Sequence, residues 1–233
     1  MMSKYHFIVR TLSLLLLFCG SMVAMAAEIG VKYSFAAGKW QADDWLQVKS
    51  PRWDYRGEWE QRDDHIVNRV PAGSPEDLQG KLAPQTYTSM ILKKQFSGSA
   101  VISARMEFDY RMAPLIVIAP TYGADAQGRP EYREHWEIVL YDKGINVWHH
   151  YYRDGKPSWR KAAALTTTFK PGVPYRLEVK LEFAASGCFL TVTCGDHTFG
   201  YHDDNLPKNY YVGITGCEGS NRFYDFTIEK TQP

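Results

Sequence analysis

The stretch Glu134-His135-Trp136-Glu137-Ile138-Val139-Leu140-Tyr141-Asp142-Lys143-Gly144-Ile145-Asn146-Val147-Trp148-His149-His150-Tyr151-Tyr152-Arg153 decides the fold. Trp136, Ile138 and Leu140 alternate with His135 and Glu137, the period of a half-buried strand. Asp142-Lys143-Gly144 is a hairpin signal in which Gly144 supplies a positive φ. Ile145 to Arg153 then returns as a second strand. Residues two apart on a strand share a face, so His135 and Glu137 stand together, about 7 Å apart. The turn leaves two registers open. A two-residue loop at Lys143-Gly144 pairs position 142 with 145 and sets Asn146, Trp148, His150 and Tyr152 beside His135 and Glu137. A three-residue loop with a bulge at Gly144 pairs 141 with 145 and sets His149 and Tyr151 there instead. Burial favours the first, which gathers Trp136, Ile138, Leu140 and Val147 on one apolar face.

The pattern repeats on both sides of this hairpin. Val101–Met112 alternates, with Met106, Phe108 and Tyr110 on one face and Arg105, Glu107, Asp109 and Arg111 on the other. Leu115–Ala119 is a wholly apolar run between Pro114 and Pro120 that suits a central strand. Tyr175–Phe183, Cys188–Cys194, Thr198–His202, Tyr210–Thr215 and Phe223–Lys230 follow, with a turn at Gly195-Asp196. Upstream, strands are expected near Trp53–Gln61 and His65–Arg69. Asp43–Val48 and Pro75–Gly80 suit one helical turn each. Pro71–Pro84 and Tyr122–Pro130 read as loops. About a dozen strands with turn signals between them predict an all-β, two-sheet antiparallel sandwich.

The first 26 residues stand apart. Lys4 and Arg10 precede the apolar run of Leu12 and Leu14 to Phe18, and Ala24-Met25-Ala26 places small residues before a cleavage point. This is the pattern of a secretory signal. Cleavage after Ala26 leaves 207 of 233 residues as a single domain, residues 27–233. It removes two of 27 basic residues and none of 26 acidic ones, so the formal charge moves from +1 to −1. A secreted or periplasmic protein is expected, with no membrane span after cleavage. The near-zero charge argues against a nucleic-acid partner, and 45% hydrophobic residues exclude a disordered chain. Three cysteines remain. Cys188 and Cys194, six apart on one strand, lie about 20 Å apart and cannot bridge. Either pairs with Cys217 if the strands are adjacent, or all three are small buried hydrophobes.

In its order of elements the chain resembles the concanavalin A-like lectin/glucanase superfamily, a jelly-roll sandwich. Three segments carry the likeness: Pro174-Tyr175-Arg176-Leu177-Glu178-Val179, then Tyr211-Val212-Gly213-Ile214-Thr215-Gly216 and Phe223-Tyr224-Asp225-Phe226-Thr227-Ile228. Pro130-Glu131-Tyr132, leading into the hairpin, resembles bacterial jelly-roll proteins of polysaccharide-degradation systems. The resemblance implies a polysaccharide or oligosaccharide partner. It also implies a structural calcium near Asp225; no other cofactor is expected.

Three function classes follow: a carbohydrate-active enzyme, a non-catalytic glycan-binding domain, or an interaction jelly roll. Sugars stack their apolar side on aromatic rings while polar groups take the hydroxyls. Trp148, Asn146, Glu107, Arg111 and Arg153 are therefore candidate sugar-binding residues, with Arg153 and Lys156 suited to an acidic sugar. Glycoside hydrolysis needs two carboxylates, about 5–5.5 Å apart for retention and 6.5–9.5 Å for inversion. The Glu-x-Asp-x-Glu of hydrolases in this superfamily is absent: Glu134 and Glu137 are three apart and face opposite sides. A polysaccharide lyase needs a base, an acid and a group that neutralises a uronate. The catalytic candidates are Glu137 for hydrolysis, paired with a carboxylate elsewhere such as Glu107, and His135, His150 and Tyr152 for a lyase, with Arg111 as the neutralising cation.

Overall fold

The computed structural model describes residues 30–231. The expected signal segment lies outside the described residues. The described residues form sixteen strands: β1 (Val31–Ser34), β2 (Trp45–Gln47), β3 (Trp59–Gln61), β4 (Ile66–Asn68), β5 (Thr88–Leu92), β6 (Phe96–Ser97), β7 (Ala100–Phe108), β8 (Met112–Ala124), β9 (Pro130–Tyr141), β10 (Gly144–Arg153), β11 (Lys156–Thr166), β12 (Tyr175–Ala184), β13 (Gly187–Cys194), β14 (His197–Asp203), β15 (Asn209–Gly216) and β16 (Asn221–Lys230). They form two eight-stranded sheets. The back sheet runs β14-β13-β12-β7-β16-β4-β3, with β1 also on β16; the front sheet runs β11-β10-β9-β8-β15-β5-β2, with β6 on β15. Every pairing between named strands is antiparallel. The expected two-sheet sandwich is what forms. No helix among the described residues is long and apolar enough to cross a membrane.

The core lies where the inner faces meet and includes Trp45, Phe108, Trp136, Phe223 and Phe226. A polar clamp joins it: the Trp136 indole N–H donates to Asp203 Oδ2 at 2.7 Å. A second apolar cluster, with Val48, Tyr87, Leu115, Val117, Tyr132 and Cys217, coats the outer face of the front sheet. That sheet is thus buried on both sides, as the apolar Leu115–Ala119 run requires. Pro114 and Pro120 do not end β8. They sit where its pairing with β9 skips, at the only kind of place a central strand tolerates a missing N–H. The expected Tyr122–Pro130 loop therefore shrinks to a turn after Ala124.

The hairpin register differs from both expectations while keeping the preferred face. Tyr141 pairs with Gly144, so the loop is Asp142-Lys143, and His150 stands opposite His135 and Trp148 opposite Glu137. A shift of two residues preserves every face, because the strand period is two. Gly144 has φ +140°, and a Cβ there would lie 1.9 Å from the Leu165 carbonyl oxygen, so only glycine opens this strand. Pro75–Gln79 is a short helix capped by Ser74, whose Oγ accepts from Asp77 N at 3.2 Å. The other expected helical turn is reduced to Ala42–Asp44, followed directly by β2. Cys188, Cys194 and Cys217 are free and buried. Cys188 and Cys194 lie in the inter-sheet core and Cys217 in the outer cluster, so the front sheet separates them and the small-hydrophobe reading holds.

Candidate functional site

A strap, residues 48–56, creates the site by covering part of the front sheet's outer face. It leaves β2 and fastens to the start of β9: the Lys49 N–H donates to the Pro130 carbonyl at 3.0 Å, and the Tyr132 N–H to the Lys49 carbonyl at 3.2 Å. The Lys49 ammonium, buried, meets Glu131 Oε2 at 2.6 Å. Arg133 and the Tyr152 hydroxyl reach the other Glu131 oxygen at 2.7 and 3.2 Å. Arg52, next along the strap, lies between two indoles, 4.4 Å from the ring centres of both Trp53 and Trp159.

Beneath the strap is a pocket of about 170 Å³. Trp53, Trp148 and Trp159 wall it, Glu137 and His150 lie at its base, and Arg52 and Glu218 line it from the loops. Trp159 is 48% exposed, so this wall also faces solvent. Glu137 is held from several sides. The Tyr87 hydroxyl donates to its Oε1 at 2.9 Å, and His135 Nε2 lies 3.3 Å from the same oxygen. His150 Nε2 is 3.0 Å from Oε2 but off the hydrogen-bonding direction, so that contact is electrostatic. Burial works against the Glu137 charge, but the neighbouring His150 and the contacts from both histidines overcome it and hold the carboxyl well below its usual range. His135 is wholly buried between the rings of Tyr132 and His150, at 4.4 and 4.6 Å. Burial pushes it down to about 4, so it is neutral at pH 7. Glu218 is raised by burial against the opposing pull of Arg52, with Glu137 adding to the rise. Two carboxyls of one pocket thus have their acidities pushed apart.

His135, Glu137 and His150 offer three ligand atoms within 4.8 Å of one another, a donor set known from zinc sites. The arrangement does not fit a metal. The two imidazoles stack within 11° of parallel, so their lone pairs run side by side instead of converging. His135 Nδ1 has no acceptor behind it, whereas a ligating imidazole normally has one. The trio is an acid–base cluster. Nor does Asp225 fit calcium, which takes six to eight oxygens: its Oδ2 is bound by the Arg176 guanidinium at 2.8 Å.

Of the residues singled out from the sequence, His135, Glu137, Trp148 and His150 come together here. Asn146 shares their face, buried, with its Oδ1 unpaired. Tyr152 and Arg153 lie instead at a second depression near the hairpin end. Glu107 does not join the site. It is on β7 of the back sheet, bound by Arg222 at 2.8 Å and the Tyr224 hydroxyl at 2.5 Å. Arg111 is also away from it, in the β7–β8 turn against the Tyr110 ring. Arg52, Trp53, Tyr87, Trp159 and Glu218 are pocket residues that strand alternation does not reveal, because four of them lie outside the regular strands and Trp159 lies on an unexpected one. Four of the seven tryptophans, Trp40, Trp45, Trp53 and Trp59, fall before Asp64, and this clustering is the sequence's one signal for the strap.

No family model matches the chain, and no curated protein matches it. Solved structures do. The carbohydrate-binding module CBM66 from Bacillus subtilis superposes with a TM-score of 0.54 at 11% identity, over 80% of this chain and 96% of that one. A glycoside hydrolase family 16 endo-glucanase from Bacteroides ovatus gives 0.55 at 11%, over 85% and 99%. Peanut lectin gives 0.54 at 10%, over 87% and 97%. The protein has the concanavalin A-like jelly-roll fold. At these identities the likeness is one of fold, and the function must be argued from the site.

Proposed function

We propose that the protein is an exported carbohydrate-binding protein that takes one sugar residue of a glycan into the pocket beneath the strap. The observation that carries this is the meeting of three indole walls with Glu137 and His150 in one small pocket. Indoles stack on the apolar side of a pyranose, and a carboxylate with an imidazole takes its hydroxyls. At about 170 Å³ the pocket is well below the roughly 300–1,000 Å³ of a drug-sized site. It suits a single ring at a chain end. The expected signal at Met1–Ala26 suits a glycan met outside the cytoplasm, and the named neighbours of like fold include a carbohydrate-binding module and a lectin.

A second reading, glycoside hydrolysis, is favoured by the opposed environments of Glu218 and Glu137. Glu218 gives its proton to the glycosidic oxygen as the bond from that oxygen to the anomeric carbon breaks. Glu137 takes a proton from the water whose oxygen bonds to that carbon, and exchange with solvent restores both carboxyls. The lyase set is less well served: of His135, His150, Tyr152 and Arg111, only His150 lines the pocket.

Calorimetry against neutral and acidic oligosaccharides, with reducing ends counted in parallel, tests both readings. The wild type is expected to bind at least one oligosaccharide. Trp148→Ala should weaken it about tenfold or more, near 1.4 kcal/mol. Glu218→Gln should keep binding and lose the new reducing ends. Binding without turnover removes hydrolysis and leaves the lectin reading; no binding by the folded protein removes both.

A further inference from the structure

The opposite face of the same hairpin carries a depression that the pocket does not use. It is open, about 640 Å³, and lined by Arg133, Arg153, Arg160, Tyr151, His149 and Glu134, among others. The pairing of β10 with β11 sets His149 opposite Arg160 and Arg153 opposite Lys156. His149, Tyr151 and Arg153 therefore share one face of β10, with Arg160 and Lys156 beside them on the edge strand.

The charges here are unbalanced. Glu134 is engaged by buried His149, whose Nε2 lies 2.7 Å from its Oε1. Arg133 is engaged by Glu131. Among the described residues the Arg153 side chain meets only the Tyr151 hydroxyl, at 3.1 Å, and its ring. Among the described residues the Arg160 side chain has no ion-pair or hydrogen-bond partner. Both are exposed. Two guanidinium groups without carboxylates thus bracket an aromatic ring, and their backbone positions lie about 13 Å apart along the strands. Guanidinium is the side chain that grips planar or tetrahedral oxyanions in a fork. Beneath them His149 stacks on Trp136 at 4.3 Å, 5° from parallel, which fixes the floor to the core.

We propose that this arginine rim is a second binding site, for an anionic stretch of glycan whose carboxylate or sulfate groups meet Arg153 and Arg160 while a sugar ring lies on Tyr151. It rests on the reading of the protein as a glycan binder, but it uses the other face of β10 and none of the pocket's walls.

The test is calorimetry with three oligosaccharides of equal length: an oligouronate, a sulfated oligomer and a neutral one. Each is run at low and high salt on the wild type, Arg153→Ala/Arg160→Ala and Trp148→Ala. The wild type should bind an anionic oligomer about tenfold or more tighter than the neutral one, with the preference shrinking as salt screens it. The double variant should lose that preference and keep neutral binding; Trp148→Ala should do the reverse. Binding of the oligouronate alone assigns the rim to carboxylates, and of the sulfated oligomer alone to sulfates. Neutral binding absent with the anionic preference intact overturns the pocket reading and upholds the rim. No preference for either anionic oligomer, or a preference that survives the double variant, overturns the rim. Both arginines are solvent-facing, so the variants are expected to fold, and a thermal melt confirms it.

Discussion

The outer faces of the two sheets are made of similar residues and do different things. On the back sheet, Arg176 pairs with Asp225 and Arg222 with Glu107 and Asp109, partly in water. On the front sheet, Lys49 with Glu131 and His135 with Glu137 lie beneath a strap, almost fully shielded. Covering, not composition, turns one face into a pocket. The largest effect should come from unfastening that cover. Lys49→Met leaves the Glu131 charge buried without its closest cation, and a broken buried pair costs about 3–5 kcal/mol. Urea unfolding should show a loss of that order. The double variant Lys49→Met/Glu131→Gln should recover part of it, since Glu131 then carries no buried charge and the Arg133 it releases is 40% exposed.

Acid should find the same difference more gently. His135 is held neutral by burial, with its ionisation pushed from 6.5 down to about 4. The unfolded chain binds this proton at higher pH than the folded one. Stability is therefore fully present above about pH 6.5 and falls as pH drops toward 4, by of order 3 kcal/mol for this group. Glu137, held well below its usual range, adds a loss of the same sign at lower pH. Urea midpoints across this window check the slope, and His135→Gln, which keeps an N–H for Glu137, should flatten it. An unchanged slope would mean that His135 is reached by water and that the front sheet's cover is leaky.

Much of this was legible in the chain because alternation is a strong constraint. Trp136, Ile138, Leu140 and Val147 had to point inward, so Trp148 and His150 had to join His135 and Glu137 whatever the turn, provided the register moved by twos. The loop itself fell one residue earlier than expected, at Asp142-Lys143, because Gly144 is needed where Leu165 passes close. Alternation says which residues share a strand's face but not which sheet the strand joins. That is why Glu107 and Arg111 were grouped with His135, although β7 belongs to the back sheet. The strap and Glu218 were beyond reach for another reason. Neither lies in a periodic segment, and both are placed by contacts distant in sequence: Lys49 with Glu131, and the Glu218 N–H with the Thr86 hydroxyl at 2.7 Å. β11 escaped as well, since Ala162-Ala163-Ala164 on an edge strand carries little strand signal.

The smallest effect belongs to the back sheet and decides whether burial is what separates the two faces. Arg176 is 47% exposed and meets Asp225 at 2.8 Å and the Ser103 hydroxyl at 3.0 Å. Its removal opens Asp225, whose side chain is already 21% exposed, to water, so the carboxylate is rehydrated instead of stranded. Exposed pairs of this kind contribute about 0–1 kcal/mol. Arg176→Ala should fall in that range, and the difference should shrink at high salt as screening replaces the lost partner. The Lys49 deficit should persist in the same buffer, because buried charges are screened far less. Were Arg176→Ala to cost as much as Lys49→Met, with the same indifference to salt, shielding by the strap would no longer distinguish the faces, and the pocket would owe its acid–base cluster to local pairing alone.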